Sequence, residues 1–162
     1  MKTPKKTLPL LAAATLALLQ AAAQAETPKR ADKSLVERGR YLVQIAGCND
    51  CHTPGYLQAG GKVDEKLWLT GDGFGWSGPW GTSYATNLRL FASNLSEAQW
   101  LQHTATMRPR PPMPWFNVQA MSAHDRKALY AYLKALGPAG QQSPAALPPG
   151  KPPPQPYALF PG

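Results

Sequence analysis

The sequence predicts an all-α domain, and three observations carry that prediction. Three stretches of the 162-residue chain place apolar residues at helical spacing. Two of them open on a serine with the side-chain pattern of a helix cap. The residues Cys48-Asn49-Asp50-Cys51-His52 spell C-x-x-C-H, the attachment sequence for c-type haem, directly after the first of those stretches. The expected architecture is a bundle of about three main helices around one covalent haem, with a long Gly/Trp-rich loop and a Pro-rich C-terminal tail.

The chain opens with Lys2, Lys5 and Lys6, followed by an apolar run from Leu8 to Leu19 and then Ala23-Gln24-Ala25. A basic start, a short apolar stretch and an A-x-A site make an export signal over residues 1–25. The apolar run is short for a bilayer span, so no stable membrane span is expected after cleavage. Residues 26–137 then form the haem domain and 138–162 the tail. Removing the three signal lysines lowers the formal charge from +8 to +5. The surplus favours acidic partners. Nucleic acid is excluded as a partner, because the basic residues are scattered and match no recognition motif.

The first helix is expected from about Ser34 to Ala46, with Leu35, Leu42, Val43 and Ala46 on one face. It leads through Gly47 into the haem motif. Two residues between the cysteines let one turn of backbone present both sulfurs and the imidazole to one face of a flat macrocycle. A redox dithiol would sit in a βαβ context, and a zinc site needs a second cysteine pair. Neither is visible, and Cys48 and Cys51 are the only two cysteines.

From Thr53 to Asn94 the chain is rich in Gly and aromatic residues and reads as irregular backbone punctuated by turns. Trp68, Trp76, Trp80 and Trp100 are expected as packing pieces, mostly in the core. The second helix begins after Ser96, where Ser96 and Gln99 have capping-box spacing and Leu95 and Trp100 staple spacing. It ends near Met107, since Pro109 disfavours helical geometry at Arg108. The third begins after Ser122, carries Leu129, Tyr132, Leu133 and Leu136, and stops at Gly137-Pro138. The tail holds half of the chain's 18 prolines and is expected to lie extended along the surface or free, dispensable for haem binding.

An iron held by His52 takes a second axial partner or keeps an open site. The candidates are Met107, Met113, Met121, His103 and His124. His124 falls in a charged first helical turn, which suits a solvated side chain. His103 lies within the second helix, and Met107 and Met121 suit apolar filling. Met113 stands in Arg108-Pro109-Arg110-Pro111-Pro112-Met113-Pro114-Trp115, directly between prolines that stiffen the loop. Methionine opposite histidine raises the potential of a haem.

The order of these parts is an N-terminal helix, C-x-x-C-H, a loop containing Gly78-Pro79-Trp80-Gly81-Thr82-Ser83-Tyr84-Ala85-Thr86-Asn87-Leu88, a helix, Pro-Pro-Met-Pro-Trp and a last helix with Leu129-Tyr130-Ala131-Tyr132-Leu133. It resembles the monohaem class I c-type cytochromes of the bacterial periplasmic type, related to the cytochrome subunits of periplasmic dehydrogenases. The resemblance covers nearly all of the chain after the export signal except the tail. It implies a cytochrome c-like bundle, one covalent haem c with its iron, thioether links at Cys48 and Cys51, and axial ligation by His52 and Met113. It places Asn87 near a haem propionate, with Tyr84 and Trp80 as further contacts. It also implies that the first and last helices cross at a small residue and an aromatic, matched here by Gly39 and Tyr132. A carbonyl at Gly78-Pro79 would accept from the proximal histidine.

The function that follows is a periplasmic one-electron carrier, not an enzyme, since no nucleophile–base constellation or second metal motif is readable. Its partners would be redox proteins, a periplasmic dehydrogenase or a terminal oxidase. Two alternatives remain open on the sequence: a gas-binding or peroxidase-like haem protein with an open distal site, and a cytochrome subunit of a dehydrogenase complex. Cleavage after Ala25 predicts Glu26 as the first residue of the exported protein, which N-terminal sequencing checks; an intact Met1 in the membrane fraction would refute it.

Overall fold

The computed structural model describes residues 32–161; the expected export signal and cleavage site fall outside the described residues. Three main helices stand where the periodicity puts them. Helix α1 spans Lys33–Ile45, and the Asp32 side chain caps it by accepting from the Ser34 amide at 3.0 Å. Helix α4, Glu97–Thr106, carries the complete reciprocal capping box between Ser96 and Gln99. Helix α6, Ala123–Leu136, starts on Ser122, which accepts from the Asp125 amide, and stops at Gly137.

α1 packs across α6 at Gly39. A Cβ there would collide with the Ala128 carbonyl oxygen and come within 2.7 Å of Tyr132 Cβ, so only glycine admits this approach. Leu42 and Val43 of α1 meet Ala128, Leu129, Tyr132 and Leu133 of α6 in the core, joined by Trp68, Leu69, Ala92 and Trp100. Polar ties hold the rim of the crossing. Arg38 Nε lies 2.9 Å from Asp125, and the Tyr132 hydroxyl donates to Glu65 at 2.8 Å while Arg40 Nε reaches the same carboxylate at 3.0 Å.

Three short helices complete the helical part: α2 Cys48–His52, α3 Leu88–Ser93 and α5 Trp115–Ala120, with a single 3₁₀ turn at Glu65–Leu67. Arg89 on α3 is buried and donates to the carbonyls of Lys66, Leu136 and Gly137. The cation therefore caps the C-terminal end of α6, where carbonyls lack helical partners and the helix dipole is negative.

The all-α expectation needs a correction, because the Gly/Trp loop folds into a sheet. Strands β1 (Gly75–Gly78) and β2 (Gly81–Tyr84) form an antiparallel hairpin with Trp76 opposite Ser83. The tail supplies β3 (Tyr157–Leu159), parallel to β1, giving the order β2-β1-β3. On the other edge Leu147 exchanges two backbone hydrogen bonds with Thr82, at 2.9 and 3.1 Å. Strands this short, three of their eight residues glycine, give no alternating pattern to read.

The tail is therefore packed, not free. It belongs to the same compact unit as the helices and closes both edges of the hairpin. Prolines cannot donate to a ladder, so the attachment uses the non-proline amides of Leu147 and Phe160 and side chains of its neighbours. Asn87 Nδ2 donates to the carbonyls of Ala139 and Gln141 at 2.8 and 3.1 Å, and Ser143 Oγ donates to Ala85 at 2.6 Å.

The crossing yields a test. Gly39→Ala gains about 1 kcal/mol of helix propensity, yet the overpacked contact should cost about 3 kcal/mol, so chemical denaturation should show a net loss of stability. A variant as stable as the parent would mean that α1 does not touch α6 there.

Candidate functional site

The short helix α2 begins on Gly47, whose positive φ of 67° turns the chain from α1 into the C-x-x-C-H residues. Below it, buried Asn49 accepts from the Thr53 hydroxyl at 2.7 Å, and that hydroxyl accepts from the Leu69 amide at 2.8 Å. The His52 carbonyl accepts from the Gly71 amide at 2.8 Å. The motif is thus anchored to the segment 69–71 before any cofactor is considered. Leu69 itself is fully buried in the left-handed region (φ 61°), a strained state for leucine that these bonds hold in place.

Cys48, Cys51 and His52 all line one cavity of about 700 Å³. Its walls come from α1 (Val43), α4 (Trp100, Thr104), α5 (Val118) and α6 (Leu129, Leu133), with Trp76 and Ser83 from the hairpin and Ala146 from the tail. The lining is largely apolar, so the cavity and the hydrophobic core share residues.

His52 is oriented by one bond. Its Nδ1 donates to the Thr86 carbonyl at 2.7 Å, which fixes the tautomer and leaves Nε2 as the nitrogen that can bind a metal. Burial lowers the imidazole pKa against the opposing effect of the Thr86 bond, so the ring is neutral, the form a ligand needs. The accepting carbonyl is that of Thr86, not one at Gly78-Pro79. The hairpin reverses the chain at Pro79-Trp80 and brings the end of β2, not its turn, alongside His52.

Burial pushes the Cys48 thiol up to about 11 and raises Cys51 as well, each with a smaller contribution from Asp50. A dithiol held that far from the thiolate is unsuited to thiol–disulfide exchange. The remaining site residues separate cleanly. His103, Met107, Met113 and Met121 line the cavity together with Tyr84, and His124 does not. The structure thus brings four axial candidates to one space.

Asn87 and Trp80 lie outside the cavity lining. Asn87 is buried and fully engaged: its Oδ1 accepts from the Leu90 amide to cap α3, and its Nδ2 holds the tail. Trp80 packs on Phe160 of the tail at 5.7 Å between ring centroids. What sequence reasoning missed is Ser83, Trp76, Arg110 and Ala146 in the wall, and the Thr86 carbonyl. Only the Arg-Pro-Arg-Pro run hinted at the arginine.

The residues present fit a covalent haem. Two sulfurs and a neutral imidazole converge on one apolar cavity, and Ser83 Oγ, buried in its wall, has no protein partner. An orphaned hydroxyl there suits a group with a polar edge. Comparisons with known proteins point the same way. The family model described as Cytochrome c matches residues 36–137. Two relatives, from Gluconacetobacter polyoxogenes and Komagataeibacter europaeus, are each described as "Alcohol dehydrogenase (quinone), cytochrome c subunit". Each is 32% identical over 136 residues, covering 74% of this chain and 25% of the relative. The chain therefore spans about a quarter of the length of the curated relatives it matches. No solved structure matches.

Asn87 offers a test of its structural role. Asn87→Asp keeps the acceptor that caps α3 but removes two donors and sets a carboxylate against two carbonyls, which should cost about 2–3 kcal/mol of stability. The visible spectrum of the folded protein should keep its band positions. A shifted spectrum with unchanged stability would instead put Asn87 against the haem.

Proposed function

The chain belongs to the cytochrome c family, and on that footing we propose that it is a periplasmic one-electron carrier with a single haem held between His52 and Met113. Covalently bound haem c with its iron is the cofactor of this family, and the C-x-x-C-H residues that attach it are present at Cys48, Cys51 and His52. The observation that carries the reading is His52 in the cavity wall beside both cysteines, its Nδ1 committed to Thr86 and its Nε2 free. When bound, haem supplies the one-electron couple of its iron.

Each protein group then has a separate task. Cys48 and Cys51 would fix the macrocycle to α2 and keep it bound in both oxidation states. His52 Nε2 would bind the iron, while the Thr86 carbonyl accepts from Nδ1, raises the basicity of the ring and holds its plane. Met113 would supply a thioether to the iron from a loop stiffened by four prolines. The apolar walls exclude water, which limits the charge reorganisation of each electron transfer and tunes the potential. Ser83 and Tyr84 offer hydroxyls to the polar edge of the group. With only two cysteines in the sequence, one C-x-x-C-H site and one haem are supported.

The partner follows from charge and relatedness. Arg108 and Arg110 line the cavity, and no acidic residue stands between Glu97 and Asp125. A basic rim beside the redox group steers an acidic partner into contact and weakens with salt. Because the relatives are cytochrome c subunits of a quinone alcohol dehydrogenase, a dehydrogenase is the proposed donor, with this chain either a free carrier or a subunit. A terminal oxidase is the proposed acceptor. No helix among the described residues is long and apolar enough to cross a membrane.

Two measurements decide this reading. Mass spectrometry of the exported protein should show one haem retained after acid–acetone extraction; haem that extracts freely would end the proposal. Met113→Ala should abolish the thioether charge-transfer band of the oxidised protein, lower the potential and admit carbon monoxide to the reduced iron. The shift should be a substantial part of the roughly 0.8 V range that axial ligands span. Met107→Ala and Met121→Ala should leave the band in place. An unchanged band in Met113→Ala would move the sixth ligand to Met107 or His103, and a parent protein that binds carbon monoxide freely would favour a gas-binding role.

A further inference from the structure

We propose that the tail is a clasp on the distal loop: the Leu147 carbonyl, fixed by Thr82, holds Arg110, and Arg110 is the residue that positions Met113. The inference rests on the reading of Met113 as the distal ligand.

The loop between α4 and α5 has little to hold it. Four of its seven residues from 108 to 114 are prolines, and among the backbone hydrogen bonds of the described residues none is donated from that segment beyond a weak turn at Pro111-Pro112. Its base is tied locally, where Gln119 Nε2 donates to the Met107 carbonyl at 2.9 Å. Arg108 stacks over Trp115 at 4.5 Å, again within the same segment. Among the described hydrogen bonds, the one that ties residues 108–114 to a distant part of the chain is Arg110 Nη1 donating to the Leu147 carbonyl at 3.0 Å.

That carbonyl is well fixed. It also accepts from the Thr82 amide at 3.1 Å, and the Leu147 amide donates back to Thr82 at 2.9 Å. One carbonyl oxygen has two lone pairs, so it serves Thr82 and Arg110 together. Thr82 is fully buried in β2, and the chain continues two residues past that strand to Thr86, which holds His52. Ala146, next to Leu147, lines the haem cavity, as do Arg110 and Met113. One segment, residues 82–86, therefore carries the support for both proposed ligands: directly for His52, and through Leu147 and Arg110 for Met113. A tail required only for bulk stability would have no reason to send its carbonyl to the loop that bears the ligand.

The test uses the full-length holoprotein with imidazole as the competing ligand. Arg110→Ala should raise imidazole affinity at the oxidised iron about tenfold, the loss expected for one charged-donor hydrogen bond, and should weaken the thioether band. Arg110→Lys, which retains a donor, should restore most of the parental resistance. Leu147→Pro, which removes the amide bond to Thr82, should resemble Arg110→Ala, and the double variant should add little to either. NMR order parameters at the amides of Arg108, Arg110 and Met113 in the reduced protein should fall in the same variants. This last readout does not depend on which residue ligates the iron. If Met113→Ala leaves the band intact, the ligand reading fails, while the order parameters still judge the clasp. If Arg110→Ala changes neither imidazole affinity nor loop order, or if Arg110→Lys fails to rescue, the clasp is overturned.

Discussion

The hydrogen bond from His52 Nδ1 to the Thr86 carbonyl is the contact on which the rest of the site depends. A carbonyl can hold an imidazole only if its own strand is held, and residues 81–87 are held from several directions. Thr82 pairs with Ser77 across the hairpin and with Leu147 of the tail. Ala85 accepts from Ser143, and Asn87 reaches the carbonyls of Ala139 and Gln141. Gly81, at φ 95°, lies so close to the Leu147 carbonyl that a side chain would displace the tail. Orientation of the His52 imidazole thus passes through the hairpin to a proline-rich segment nearly a hundred residues later in the chain.

A small haem domain meets a second constraint, which is that its core and its cofactor cavity compete for the same apolar side chains. Val43, Leu69, Trp100, Leu129 and Leu133 serve both. Short domains bury a limited fraction of their surface, and a cavity of about 700 Å³ in the middle reduces what the protein can bury by itself. The scaffold compensates with close backbone contact where the cavity does not reach. The Gly39 crossing and the buried Arg89 on the end of α6 are both of that kind. Covalent attachment then makes the cofactor part of the packing as well as the reactive group.

The distribution of charge fits the same economy. Among the described residues, four ion pairs use acids on α1, α4, α6 and the 3₁₀ turn, whereas Arg108 and Arg110 line the cavity with no acid in their own segment. Exposed ion pairs contribute little to stability. Arg108 and Arg110 are thereby left beside the cavity without an acid in their own segment. In a member of the cytochrome c family, that placement matters more for encounter rates than for the fold.

The sequence alone determined the haem attachment, because C-x-x-C-H is chemistry written in consecutive residues and needs no neighbours to be read. It also determined the three main helices and their caps: Ser96 with Gln99, and Ser122 with Asp125, are local hydrogen bonds within a single turn. The Gly39–Tyr132 crossing was legible only through the family resemblance, which asks for a small residue and an aromatic there. Tertiary structure decided everything that joins distant segments. The tail covers both edges of the hairpin, Asn87 turns to the tail instead of the cavity, and Thr86 rather than a residue at Gly78-Pro79 meets His52. No periodicity announces such contacts, since the groups involved are mostly backbone carbonyls and amides, which every residue possesses. Their partners are chosen by where the folded chain brings them.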